Sequence, residues 1–283
     1  MAEPRVDELT GTETMGHEFD GIEELNHPMP RWWLITFYAL IVWGIGYTIA
    51  YPAWPMISGA TQGLLGYSTR AEVAADIDAH AQANAGLTDA LLQVDLAAFD
   101  PQSDLHRYAV ARGASVFLAQ CSQCHGAGAA GTVGYPNLLD NDWLWGGALP
   151  EITYTVTHGI RNETDFDAHY SQMPAFGDIL APEEIEAIAD FLPTLNTADA
   201  GAPGAVLFAD NCASCHGGSG QGDRTMGAPN LADAIWLYGG DRGSVITSIT
   251  DARFGVMPAW GQRLNEADVR AVATYVHALG GGE

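Results

Sequence analysis

Cys121, Cys124 and His125 form one CxxCH string, and Cys212, Cys215 and His216 form a second. The chain has no other cysteine. Two thiols at i and i+3 lie on one side of a helical turn, a spacing that suits the two vinyl groups of a haem. The adjacent histidine then sits beneath the iron as its proximal ligand. A thioredoxin-like redox pair would need a surrounding βαβ pattern, and a zinc site would need further ligands such as an HxxxH pair; the sequence has neither. The expected cofactors are therefore two covalently attached c-type haems.

The sixth iron ligand decides what such haems can do. Met173 and Met257 each precede a proline in matched loops, QMPAFG and VMPAWG. A thioether is a weak ligand that raises the iron potential. Pro174 and Pro258 hold the preceding residue extended, which helps to present the sulfur from a loop. Methionine is commonly only a core filler, but recurrence at one place in both strings favours ligation. Met226 has Val133 as its counterpart and reads as a packing residue. His158 is the rival ligand in the first unit; it has no histidine counterpart in the second and reads as a polar surface residue. Pro136 and Pro229 follow the haem histidines by 11 and 13 residues. In small class I cytochromes c a proline carbonyl at this distance accepts the proximal-histidine hydrogen bond, and the resemblance implies that role here. His/Met ligation leaves no open position, so electron transfer is favoured over chemistry on a substrate. No catalytic residues are expected.

These residues sit in a repeat. Gly113-x3-Phe117-x3-CSQCHG matches Gly204-x3-Phe208-x3-CASCHG, and GYPNLLDNDWLWGG matches GAPNLADAIWLYGG. Each unit ends in an amphipathic helix: Ile185, Ile188, Ala189 and Leu192 share one face in the first, and Val269, Val272, Ala273 and Val276 in the second. Pro182 stands near the start of the first helix and Asn265 is the N-cap expected of the second. Phe117 with Phe191, and Phe208 with Tyr275, are the expected packing pairs between the first and last helices of each unit. The predicted fold is mainly α: one N-terminal transmembrane helix, then two tandem class I cytochrome c-like helical domains, 106–197 and 198–283.

Arg31 and Arg70 bracket a long stretch without charge, and Trp32 to Tyr51 is its most apolar part. Twenty helical residues at about 1.5 Å each cover roughly 30 Å, the hydrocarbon thickness. Trp32, Trp33, Tyr51 and Trp54 read as interfacial belts, and Pro52 and Pro55 end the helix. The mostly polar stretch before it is unlike a cleavable signal. The expected division is a cytoplasmic segment 1–31, a span 32–54, and a periplasmic linker 55–105 with an Ala-rich helix. The haem motifs set the orientation, because thioether attachment belongs to the outer side of a bacterial inner membrane.

The net charge is −24, from 35 acidic residues against 11 arginines and no lysine. It divides as −6 in residues 1–31, −6 in 55–105 and −12 in 106–283. Such a surface speaks against nucleic acid, whose affinity rests on phosphate neutralisation. It favours a basic or dipolar electron donor, with rates falling as salt rises.

The segment TMGHEFDGIEELNHPMPRWWLITFYALIVWGIGYTIAYPAWP (14–55), followed by two CxxCH units, resembles the dihaem subunit III (CcoP/FixP) of cbb3-type cytochrome c oxidases. The resemblance covers nearly the whole chain, with His27 and Met29 as small departures. It implies a subunit that passes electrons from a cytochrome c or bc1-type donor towards the monohaem cytochrome subunit or the haem–copper catalytic subunit, which reduces oxygen and pumps protons. GHEFDGIEELN reads as an acidic amphipathic segment at the membrane face, and the resemblance implies that it docks the catalytic subunit. The family also leaves open whether each methionine serves its own unit or the two units exchange them. The alternatives are a stand-alone membrane-anchored dihaem carrier and a dihaem peroxidase-like enzyme.

Overall fold

A computed structural model describes residues 4–195, 197 and 199–282. The outermost residues of the first and last predicted segments, and Ala198 at the predicted boundary between the repeats, lie outside the described residues. The chain forms two compact units, 1–82 and 83–283.

The first unit opens with a hairpin of β1 (Thr14–Phe19) and β2 (Ile22–Leu25), paired antiparallel with Phe19 opposite Ile22. Asp20 and Gly21 make the turn with φ of 51° and 83°. Two central residues with positive φ match the right-handed twist of the flanking strands, which is why Asp-Gly closes tight hairpins. The acidic segment is thus strand, with Arg5 pairing to Glu23 across it at 2.7 Å. Helix α1 follows at Arg31–Ala50. It is apolar on every face and buries none of its residues within the chain. A helix of this length and composition can cross a membrane. It stops at Tyr51, one residue before Pro52. A two-residue hairpin, β3 (Pro55–Met56) with β4 (Gly59–Ala60), comes next, and then the Ala-rich α2 (Thr69–Ala83), which buries nothing.

The second unit is helical: α3 (Ala85–Gln93), α4 (Asp104–Val116), α5 (Ser122–His125), α6 (Leu149–His158), α7 (Pro182–Phe191), α8 (Pro203–Asn211), α9 (Ala213–His216), α10 (Arg242–Asp251) and α11 (Glu266–Ala278). Their starts follow local chemistry. Glu151 and Glu184 reach back to the backbone N–H of Ala148 and Ala181 at 3.0 and 2.9 Å, and Asn265 accepts from the Asp268 N–H at 2.9 Å. Each bond satisfies a donor that the first helical turn leaves open.

The packing does not follow the repeats. One core joins Phe117, Ile152 and Val156 to Val269, Val272 and Val276, so α11 closes on α4 and α6. The other joins Ile185 and Ile188 to Phe208, Val245 and Ile249, so α7 closes on α8 and α10. The aromatic pairs expected within each repeat are therefore corrected. Phe117 meets Tyr275 at 5.4 Å between ring centroids, and Phe191 meets Phe208 at 5.7 Å. Two glycines allow the close helix approach. A Cβ on Gly113 would overlap the Ala271 carbonyl, and one on Gly204 would overlap the Ala187 carbonyl. The physical reason is chain connectivity. α7 and α8 are consecutive, with only residues 192–202 between them, and they pack as neighbours. That leaves α4 and α6 open to the one terminal helix still unplaced, α11.

Candidate functional site

Each CxxCH string sits at the end of its first helix. The α4 helix runs through a wide π turn at Phe117–Cys121 into α5, whereas α8 passes to α9 through Cys212 alone. None of the four cysteines is in a disulfide. Burial, and then the neighbouring thiol, pushes Cys121 and Cys212 up to about 11.

The ring of His125 donates from Nδ1 to the Pro136 carbonyl at 3.1 Å, and His216 does the same to Pro229 at 3.0 Å. Burial lowers both imidazole pKa values, and the carbonyl bond opposes that in part. The result is a neutral ring with its tautomer set and Nε2 left to bind a metal. Two glycines that sequence reasoning missed make this possible. Gly131 and Gly222 hold φ of 65° and 76°, and a Cβ on either would overlap the backbone that presents the proline carbonyl. Their N–H groups donate to the carbonyls of His125 and His216 at 2.9 and 2.8 Å, which closes each loop on its own haem motif.

The methionines are exchanged between the repeats. Met257 packs on the core that holds Phe117 and Cys121, whereas Met173 packs on the core that holds Phe208 and Cys212. Met257 is pinned there by two backbone bonds with Ile160, of 3.0 and 2.9 Å. Met173 shares a cavity of about 440 Å³ with Cys212, Cys215 and His216. The two Met loops mirror each other: Gly177 packs on Thr250, and Gly261 packs on Thr157.

Other sequence candidates fall outside these seats. His158 bonds through Nδ1 to Asp165 at 3.0 Å, as a polar residue of the long loop after α6. Met226 is 38% exposed and belongs to neither core, so it is not the packing residue expected. Trp145 stacks on His169 at 4.3 Å, and its buried indole N–H has no acceptor among the described residues. The repeat puts Trp145 where Tyr238 stands, and Tyr238 lines the cavity beside His216. A cavity bearing two thiols, an imidazole and a thioether, together with an orphaned buried donor at the matching place in the other repeat, fits a haem in each seat.

The comparisons agree with this reading. Residues 11–58 match the model for the N-terminal domain of cytochrome oxidase-cbb3, FixP. Residues 109–192 and 199–276 each match cytochrome c oxidase, cbb3-type, subunit III. The chain is 58% identical over 276 residues to the cbb3-type cytochrome c oxidase subunit CcoP of Cereibacter sphaeroides, covering 95% of each chain. It is 52% identical to the FixP subunit of Sinorhizobium medicae over 284 residues and 51% identical to that of Rhizobium meliloti over 282, each covering 98% of both chains. With both haem domains and the membrane anchor matched along nearly its whole length, the chain belongs to the subunit III family of cbb3-type cytochrome c oxidases.

Proposed function

We propose that this electron-transfer subunit carries two covalently bound c haems and relays electrons from a cytochrome c or bc1-type donor towards the monohaem and haem–copper catalytic subunits of its oxidase. Each haem, when bound, supplies one reversible one-electron couple. The first is held by Cys121, Cys124 and His125 with Met257 opposite. The second is held by Cys212, Cys215 and His216 with Met173 opposite. Pro136 and Pro229 orient the two imidazoles and raise their basicity through the Nδ1–H bonds.

The observation that carries the reading is that each methionine packs on the core bearing the opposite repeat's haem motif, Met257 with Cys121 and Met173 with Cys212. A haem so held would have a histidine and a methionine as its protein ligands, a set suited to electron transfer and not to peroxide binding. Helix α1 anchors the chain in the bacterial inner membrane, with residues 1–31 cytoplasmic and the haem bodies periplasmic. The β1–β2 hairpin docks the catalytic subunit. A hairpin beside an anchoring helix supports that role, because Glu18, Phe19 and Ile22 around its turn are exposed.

The test is purification of the tagged full-length chain from detergent-solubilised membranes. Co-purification of a protein containing haem b and copper is the expected result. Recovery of the dihaem chain alone would favour a stand-alone carrier. Peroxide turnover with a high-spin ferric haem would favour the peroxidase-like alternative. Deleting residues 14–28 with the complex still fully assembled would sink the docking role.

A further inference from the structure

Arg161 and Arg253 face the cavity that holds His216 and Met173, and neither has a carboxylate partner among the described residues. Unlike Arg31, Arg70 and Arg263, which also have no ion pair among the described residues, these two line a cavity. Arg5, Arg107, Arg112, Arg242 and Arg270 all pair with acids. The cavity's own acids, Asp140 and Asp142, pair with neither. Arg161 is partly buried, and removing a guanidinium from water costs energy unless an anion or several acceptors replace the lost hydration.

Backbone acceptors aim both forks without neutralising them. Arg161 donates from Nε to the Gly255 carbonyl at 2.8 Å and from Nη1 to the Ser171 carbonyl at 3.0 Å. Arg253 donates from Nε and Nη2 to the Ser248 hydroxyl at 3.1 and 2.6 Å, and from Nη2 to the carbonyls of Ser244 and Tyr238 at 2.5 and 3.3 Å. That leaves Nη2 of Arg161, Nη1 of Arg253 and the Tyr238 hydroxyl without a protein acceptor among the described residues. The Tyr238 ring lies under the Arg253 guanidinium at 5.0 Å, and Phe254 lies by Arg161 at 6.0 Å. Arg161 also holds a left-handed φ of 49°, a strained backbone that persists only where the surroundings demand it.

We propose that Arg161 and Arg253, with the Tyr238 hydroxyl, form a carboxylate cradle that holds the propionates of the haem carried by Cys212, Cys215 and His216. A haem tethered through its vinyl carbons presents its two carboxylates on the opposite edge. The two guanidinium nitrogens left open, Nη2 of Arg161 and Nη1 of Arg253, are matching charged donors. The cradle is built from both repeats, as the iron ligation is. It is also one-sided. The C-caps of α6 and α10, Gly159 and Ala252, are equivalent positions. The residues that follow them are Ile160 and Arg161 in one repeat and Arg253 and Phe254 in the other, so neither arginine has an arginine counterpart. Two cations near one haem stabilise its reduced form, so the cradle raises the potential of the second haem and not that of the first.

This inference rests on the proposed haem seats, and the experiment separates the two. Full-length wild type, R161Q, R161K and R253Q are purified in detergent, their haem c content is measured, and their potentials are titrated with spectral resolution. Redox-difference infrared spectra are taken with isotope-labelled propionates. R161Q and R253Q each lower the potential of the haem at Cys212/Cys215 and shift its labelled carboxylate band, with the other haem unchanged. R161K, which keeps the charge but not the fork, recovers the potential in part and leaves the band shifted. If R161Q loses haem, R253Q and the wild-type band decide the matter. A wild-type chain with no haem on Cys212 and Cys215 overturns both the seat and the cradle. Two haems bound, with band and potential unmoved in R253Q and in whichever Arg161 variant retains haem, overturns the cradle alone.

Discussion

Ile160 and Met257 come from different repeats and are joined backbone to backbone, N–H to carbonyl in both directions, at 3.0 and 2.9 Å. The bridge ties the Met loop of the second repeat to the end of α6 in the first. It fixes which core the Met257 side chain enters.

The exchange predicts a crossed spectroscopic result. In a chain whose only haem is at Cys121/Cys124, after Cys212→Ala and Cys215→Ala, Met257→Leu should abolish the methionine–iron charge-transfer band and Met173→Leu should leave it. With the other haem retained instead, the roles reverse. Loss of the weak thioether ligand should also lower the potential of the affected haem. Ligation within each repeat would give the opposite pattern.

The helix exchange predicts coupled stability. Phe117 is fully buried against α11, and Phe117→Ala should cost about 3–5 kcal/mol. Gly113→Ala, which drives a methyl into the Ala271 carbonyl, should cost about 1–3 kcal/mol. Both effects are read by denaturant melting of the full chain in detergent. Because the two sites share α11, the double variant should depart from additivity. Simple addition of the two losses would argue against a shared helix contact.

Asp142 predicts a pH dependence. Burial pushes its carboxyl above the ordinary range, and Asp233 and Asp140 add to the shift. An acid with a raised folded pKa gives stability that is complete below its unfolded value and is lost as pH rises through the folded one. Asp142→Asn should therefore raise the melting temperature at neutral pH and change little below the ordinary carboxylate range. An equal gain at both pH values would mean that the charge is not the cause.

The acidic surface predicts a salt dependence. With −6 in residues 55–105 and −12 in 106–283, the bimolecular rate of reduction by a basic cytochrome should fall as ionic strength rises towards about 0.1 M, where the Debye length is about 10 Å. Stopped-flow reduction over a salt series measures it. A rate indifferent to salt would contradict electrostatic steering.

Much of the site was legible in the residues themselves. The CxxCH strings, the Met-Pro loops and the Pro136 and Pro229 acceptors are local signals, because a haem needs its thiols, its proximal ring and that ring's partner within a short reach of chain. The anchor was legible too, since crossing hydrocarbon takes a charge-free helix of fixed length. The β1–β2 hairpin was available in Asp20-Gly21 but was masked by a sequence that also reads as amphipathic. The amino-acid sequence by itself determined that there are two CxxCH strings, two Met-Pro loops and one helix long and apolar enough to cross a membrane. The tertiary structure alone decided which methionine and which terminal helix complete each seat. Two repeats with the same pattern offer Phe117 and Phe208 equivalent partners, Tyr275 and Phe191. Only the short link between α7 and α8, and the bridge from Ile160 to Met257, make one pairing closer than the other.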